Sequence, residues 1–130
     1  VNARPSGHVL VVDDEVDMAV TCERLLRRLG YSVMRAGSRA EGVAIIEAEP
    51  IALVITDMRL PDGCGLDIVS AARESPMPPP VIVLTGFPSR HNRTAALSAG
   101  ASVYIPKPFS TLELTSRVQE LLAIPGAPPA

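Results

Sequence analysis

Five positions in this 130-residue chain carry side chains whose combination could do chemistry: Asp13 with Asp14, then Asp57, Thr85 and Lys107. Carboxylates gathered in one place repel one another and cost free energy unless a cation shares the site. A hard divalent ion meets that need. Oxygen ligands with a few retained waters suit Mg²⁺, which prefers to share its shell with a phosphate. One carboxylate of such a set can also act as a nucleophile and form an aspartyl phosphate. Phosphoryl transfer asks the protein for alignment and for charge compensation on the equatorial oxygens. Lys107 supplies a fixed positive charge and Thr85 a hydroxyl donor. Taken singly, each residue has a plainer reading, as a surface aspartate at a helix N-terminus or a solvated lysine. Pro106 and Pro108 flank Lys107 and count against the plain reading there, since a rigid turn can aim the side chain.

Whether these residues meet depends on the elements that carry them. Short aliphatic runs at 9–12, 32–36, 53–56, 81–84 and 103–105 read as strands. Helical spacing links Met18, Cys22, Leu25, Leu26 and Leu29 in a first helix, and Ala40, Val43 and Ile46 in a second. It links Ile68, Val69 and Ala72 in a third, and Leu114, Val118 and Leu121 in a fifth. The fourth helix, around Thr94 to Ala99, is Ala-rich and weakly patterned. Gly30 and Gly100 fall at expected helix ends. Ser38 with Glu41, and Ser110 with Glu113, have capping-box spacing. Pro76 to Pro80 reads as a stiff connection before the fourth strand. This (βα)₅ alternation implies a doubly wound parallel sheet. Only 3% of residues are aromatic, so the core must be aliphatic, as suits strands buried on both faces. Such sheets bind ligands outside the carboxyl ends of their strands. Asp13 and Asp14 follow the first strand, Asp57 the third, Thr85 the fourth and Lys107 the fifth, so one edge should collect them all.

Composition narrows the function. A length of 130 residues fits one domain, and 47% hydrophobic against 20% charged residues is a globular balance. A net charge of −2 argues against direct nucleic-acid binding. The longest apolar stretch, Ile51 to Ile55, is too short to cross a bilayer, and the first residues lack the order of a secretory signal. Val1 in place of Met is compatible with a fragment of a longer chain. Residues 1–7 read as an N-terminal extension, 8–123 as the domain, and 124–130 as a linker or tail rich in Pro. Cys22, expected semi-buried, and Cys64, near a helix start, have neither CxxC nor zinc spacing and read as reduced thiols. His8 and His91 read as solvated. Arg24, Arg27 and Arg28 read as an exposed helix face, with a partner-docking edge as the alternative.

The ordered segments Val11-Val12-Asp13-Asp14-Glu15, Thr56-Asp57-Met58-Arg59-Leu60-Pro61-Asp62-Gly63, Leu84-Thr85-Gly86 and Tyr104-Ile105-Pro106-Lys107-Pro108-Phe109 resemble the response-regulator receiver domain, the CheY-like family. The likeness runs from about Val9 to Leu122. Each segment is modest alone, but the set in this order is specific. The resemblance implies a flavodoxin-like fold of strand order 2-1-3-4-5 with helices on both faces. It implies Asp57 as phosphoacceptor and Asp14 as a direct Mg²⁺ ligand, with Asp13 acting largely through water. The backbone carbonyl of Arg59 would complete the protein's share of the shell, and Mn²⁺ can substitute. Lys107 would bind a phosphoryl oxygen, across a cis Lys107–Pro108 bond. Thr85 would reorient toward the phosphoryl group and Tyr104 would turn inward with it, switching the face formed by the fourth helix, fifth strand and fifth helix. Arg59 and Phe87 occupy positions that tune phosphate lifetime, and a long cation with an aromatic implies slow self-dephosphorylation.

By the same resemblance, the donor would be a histidine kinase or a histidine phosphotransfer protein, and the location cytoplasmic. A homodimer through the switching face, and an output domain beyond Ala130, are compatible with it. The chain would not be a turnover enzyme, catalysing only its own aspartyl phosphorylation and slow hydrolysis. Two alternatives differ in class. A Mg²⁺-dependent phosphohydrolase of the haloacid-dehalogenase type needs a second Asp two residues after the nucleophile, where this chain has Arg59. A phosphorylation-independent pseudo-receiver usually lacks one of the acidic, hydroxyl or lysine positions, and all are present here.

Overall fold

The computed structural model describes residues 7–122. Apart from Gly7, the expected N-terminal extension and the 124–130 tail lie outside the described residues. Five parallel strands form the main sheet: β1 (His8–Val12), β2 (Val33–Ala36), β3 (Ile51–Asp57), β4 (Val81–Thr85) and β5 (Val103–Pro106). Their order is β2-β1-β3-β4-β5, as the resemblance to the receiver family implies. Each crossover carries a helix: α1 (Val16–Arg28), α2 (Arg39–Ala48), α3 (Gly65–Arg73) and α4 (Arg90–Ala99), and α5 (Thr111–Leu121) follows β5.

The period of two along each strand divides the core. Val9 and Val11 of β1 face one layer, with Cys22 and Leu26 of α1 and Leu114 and Val118 of α5. Leu10 and Val12 face the other, with Ile68, Val69 and Ala72 of α3 and Ala96 of α4. Each fully buried Leu or Ile contributes about 1.5–3 kcal/mol, so two such layers hold the sheet rigid under whatever sits at its edge.

Several details depart from the sequence reading. Ala40 is exposed, and Gly42 takes the inward position on α2 beside Ile46. Cys22 is fully buried rather than semi-buried. α4 begins at Arg90 rather than near Thr94, because Ser89 caps it by accepting from Asn92 N–H at 3.0 Å. Ser38 and Ser110 cap α2 and α5 as expected, accepting from the N–H of Glu41 and Glu113. Glu41, however, reaches back to Gly37 N–H rather than to its cap residue. A two-rung antiparallel hairpin pairs Arg59–Leu60 with Gly63–Cys64, between β3 and α3. At its tip the Asp62 carboxylate accepts from Arg39 N–H at 2.7 Å and Ala40 N–H at 3.0 Å, serving the free donors of α2. These two bonds hold the Asp62 carboxyl below the usual carboxylate range. Among the described residues no helix is long and apolar enough to cross a membrane.

Candidate functional site

The carboxyl ends of β1, β3, β4 and β5 bring the acidic and basic positions together. Asp13 leaves β1 with its backbone N–H on Ala36 O, which turns its side chain over the sheet edge. Its Oδ1 accepts from Glu15 N–H at 2.9 Å, and only 4% of the residue is exposed. Asp57 ends β3 in register with Leu84 and is also buried. Lys107 follows β5 and is anchored by its N–H on Thr85 O at 2.7 Å. From there its Nζ donates to Asp57 Oδ2 at 3.0 Å, Asp13 Oδ2 at 3.2 Å and Glu15 Oε1 at 3.3 Å. The Lys107–Pro108 peptide is cis.

The electrostatics follow from this crowding. Burial pushes the Asp13 carboxyl above its ordinary range. The Glu15 N–H and Lys107 oppose that rise, and the charge of Asp57 adds to it. Burial alone would lower Lys107. The hydrogen bond to Asp57 and the charges of Asp13 and Asp57 outweigh it and lift the ammonium well above an ordinary lysine. Both partners of the ion pair therefore shift upward: desolvation governs the carboxyl, and its neighbours govern the lysine.

Asp13, Asp14 and Asp57 each offer one carboxylate oxygen, and these lie within 4.8 Å of one another. Asp14 itself is exposed. Three carboxylates, of Asp13, Glu15 and Asp57, contact the ammonium of Lys107, and Asp14 adds a fourth to the cluster. Hard oxygen donors with surplus negative charge are the donor set a divalent cation takes, so the cluster could hold a metal.

Other expected residues stand nearby in different roles. Thr85 is buried at the end of β4, and its Oγ1 accepts from Phe87 N–H at 3.0 Å rather than meeting Asp57. Tyr104 is half-buried, and its hydroxyl accepts from Ser89 N–H at 3.4 Å. Arg59 lays its guanidinium over the exposed Phe87 ring, 4.0 Å from the centroid, and its N–H reaches Asp57 Oδ1 at 3.3 Å. The stack walls an open cavity of about 310 Å³ lined by Asp14, Glu15, Asp57 and Lys107. Glu15 was present in the sequence motif without a role, and the acidic run Asp13-Asp14-Glu15 was the signal for it. Gly65 was missed, although its N–H on Met58 O at 2.8 Å closes the turn beneath Asp57.

The remaining candidates fall outside this site. His8 is half-buried rather than solvated, with Nδ1 2.8 Å from Ser32 Oγ and Nε2 4.0 Å from Glu49. His91 is exposed. Arg27 pairs with Glu23 at 2.8 Å, while Arg24 and Arg28 lie exposed on α1.

This architecture and site define the class. The family model of the response regulator receiver domain matches residues 9–119. The response regulator SaeR of Staphylococcus aureus strain USA300 is 34% identical over 115 residues, covering 88% of this chain and 50% of that protein. The chain thus spans half the length of that relative. A CheY-like receiver domain protein from Methanospirillum hungatei JF-1 superimposes with a TM-score of 0.83 at 32% identity, over 89% of this chain and 93% of that one. A response regulator from Burkholderia pseudomallei, solved with a phosphorylated aspartic acid, a calcium ion and citrate, gives a TM-score of 0.77 at 28% identity, over 88% and 72%. The chain belongs to the response regulator receiver domain family, the phosphate-accepting module of two-component systems.

Proposed function

We propose that Asp57 is the phosphoacceptor and that the resting grip of Lys107 on it is the device that readies it. The observation that carries this reading is the 3.0 Å contact between Lys107 Nζ and Asp57 Oδ2 at the strand edge where Asp13 and Asp14 also converge. An Asp57 carboxylate oxygen attacks phosphorus, the phosphorus–nitrogen bond of a phosphohistidine breaks, and the histidine leaves as neutral imidazole, the bonding pair staying on that nitrogen and the other ring nitrogen keeping its proton. The donor is a histidine kinase or a histidine phosphotransfer protein. Lys107 follows the charge as it moves onto the phosphoryl oxygens.

Asp13, Asp14, Asp57 and the carbonyl of Arg59 would hold Mg²⁺, with Mn²⁺ able to substitute. The ion bound there would share the charge of the phosphoryl oxygens. A phosphoryl group brings roughly −1.5 to −2 charge and strong acceptor oxygens. Thr85 then exchanges its bond with Phe87 N–H for one to the phosphoryl group, and Tyr104 moves into the space released. The affected face is α4-β5-α5, which would address an output domain beyond Ala130, a second copy or another partner. The Arg59–Phe87 stack screens the approach of water and gives the acyl phosphate a long life. The chain acts in the cytoplasm as a switch and not as a turnover enzyme.

Incubation with acetyl phosphate and Mg²⁺, followed by intact mass, tests this. One phosphoryl group should be added, and Asp57→Ala should take none. Sustained hydrolysis of unrelated phosphoesters, or no modification with any donor, would overturn the reading.

A further inference from the structure

A groove runs between α2 and α3, from the Arg39–Asp67 pair at the helix starts down to the segment before β4, at the end of the sheet opposite Asp57. Two contiguous cavities of about 500 and 790 Å³ share Ile46, Glu47, Ser75 and Pro76. We propose that this groove docks an extended, arginine-bearing apolar segment of a partner protein.

Three features of the groove select that occupant. The first is its apolar floor. Ile46, Ile51 and Ala52 line it, and Met77 stands above it 86% exposed, a large flexible apolar side chain left in water. The second is its hydrogen-bonding character. From Pro76 to Pro80 only Met77 has a backbone N–H, so this wall is made almost entirely of acceptors. Val54 N–H uses the Pro80 carbonyl at 3.0 Å. Among the described residues the carbonyls of 76–79 take no hydrogen bond. An occupant must therefore bring donors.

The third feature is charge. Glu47, Glu49, Asp67 and Glu74 line the two cavities against one cation, Arg39, which is already spent on Asp67 at 2.7 Å. Glu47 and Glu74 form no ion pair among the described residues, and Glu49 reaches only His8, at 4.0 Å. A guanidinium satisfies carboxylates and carbonyls together through its planar fork, which an ammonium cannot match. The proline wall is rigid before anything binds, which lowers the ordering cost of docking. The same acidic rim repels nucleic acid and anionic lipid surfaces.

The test is an amide-spectrum titration of the isotope-labelled chain with short synthetic peptides. One peptide alternates leucine with arginine, one leucine with glutamate, and one serine with arginine. The leucine–arginine peptide should shift residues 46–52 and 75–81 and leave the Asp57 edge undisturbed. The other two should bind at least about tenfold more weakly. Glu47→Lys combined with Glu74→Lys should weaken the leucine–arginine peptide about tenfold, and Met77→Ser should weaken it without changing charge. Both variants should keep the parental spectrum elsewhere and the parental rate of modification by acetyl phosphate, so the result stands apart from the phosphoacceptor reading. Equal binding of the serine–arginine peptide would reduce the effect to charge and overturn the proposal. So would shifts centred on Asp14 and Asp57, or association of two copies through this face without any peptide.

Discussion

Gly65 opens α3 directly beneath the proposed phosphoacceptor, and Gly65→Ala asks whether the turn after β3 fixes Asp57 in place. A Cβ there would overlap the carbonyl oxygen of Asp57 and stand 3.0 Å from both the Asp57 carbonyl carbon and Met58 Cα. All three are backbone atoms, and Met58 N–H is tied to Leu84 O at 2.9 Å on the sheet side. No rotamer change relieves the contact. Gly65 does not have a positive φ, so crowding alone is being tested. Alanine gains about 1 kcal/mol over glycine from helix propensity. Overpacking costs about 1–3 kcal/mol, toward the upper end when the obstacle is backbone. Crowding wins, by about 1–2 kcal/mol, and Tm should fall by roughly 4–10 °C. Phosphorylation should suffer more, because relief requires moving Asp57 relative to Lys107, now at 3.0 Å. A displacement of about 1 Å can cost on the order of a hundredfold in rate. Calorimetry and time-resolved intact mass with acetyl phosphate measure the two effects. Gly86→Ala is the control, with nothing within 4 Å of its added methyl. Gly42→Ala meets only side chains, Ile68 Cδ1 at 2.8 Å first, and should fall between. A Gly65→Ala protein with parental Tm and parental phosphorylation rate would refute the reasoning.

Four further outcomes are expected. Iodoacetamide should label Cys64 in the native protein and spare Cys22, which is fully buried; burial first, then the charge of Asp13, pushes the Cys22 thiol up to about 11. Its folded pKa exceeds the unfolded 9.0, so its contribution to stability is complete below about pH 9 and fades toward pH 11; a Cys22→Ala protein should lose less stability over that window in urea titrations. Arg59→Ala and Phe87→Ala should each shorten the life of the acyl phosphate, and the double variant should do little more, because the two side chains act as one stack. Ser89→Ala should cost about 1 kcal/mol in urea denaturation and Ser89→Gly only a few tenths, since the hydroxyl caps α4; equal losses would place the role of Ser89 elsewhere.

The parts of the molecule legible in the sequence were those with a repeating signal or a fixed topological consequence. Val9 to Val12 and Val81 to Leu84 declare strands by β-branching and continuous burial. The position of Asp57, Thr85 and Lys107 just after such runs was enough to bring them to one edge. What escaped had no period to read. The hairpin around Asp62 has two rungs, too few for a pattern, and its purpose lies at Arg39 and Ala40, more than twenty positions away. Gly42 leaves no mark in a hydrophobic stripe, although a close approach of Val12 and Ile68 is what it permits. The start of α4 carries no capping-box signal, because its cap pairs Ser89 with Asn92 rather than with a Glu. Distances lay beyond the sequence altogether: nothing in it says that Lys107 holds three carboxylates rather than one.

The bonding around the site is uneven, and the unevenness bears on which side can respond to a change of charge. Beneath Asp57 the backbone is closed by short bonds, Gly65 N–H to Met58 O at 2.8 Å and Met58 N–H to Leu84 O at 2.9 Å, beside a buried apolar layer. Lys107 is set by its N–H on Thr85 O at 2.7 Å. On the other flank, Phe87 and Ser89 are exposed, and the Tyr104 hydroxyl holds the start of α4 through one bond at 3.4 Å. A bond of that length is weak. Added negative charge at Asp57 would pull equally on donors from both sides, but only the β4–α4 side can move without breaking short backbone bonds. Hydrogen exchange should therefore accelerate or slow at residues 86–92 on phosphorylation while the amides of Met58 and Gly65 stay protected. Exchange that changes first at Met58 and Gly65 would reverse the assignment of rigid and yielding sides.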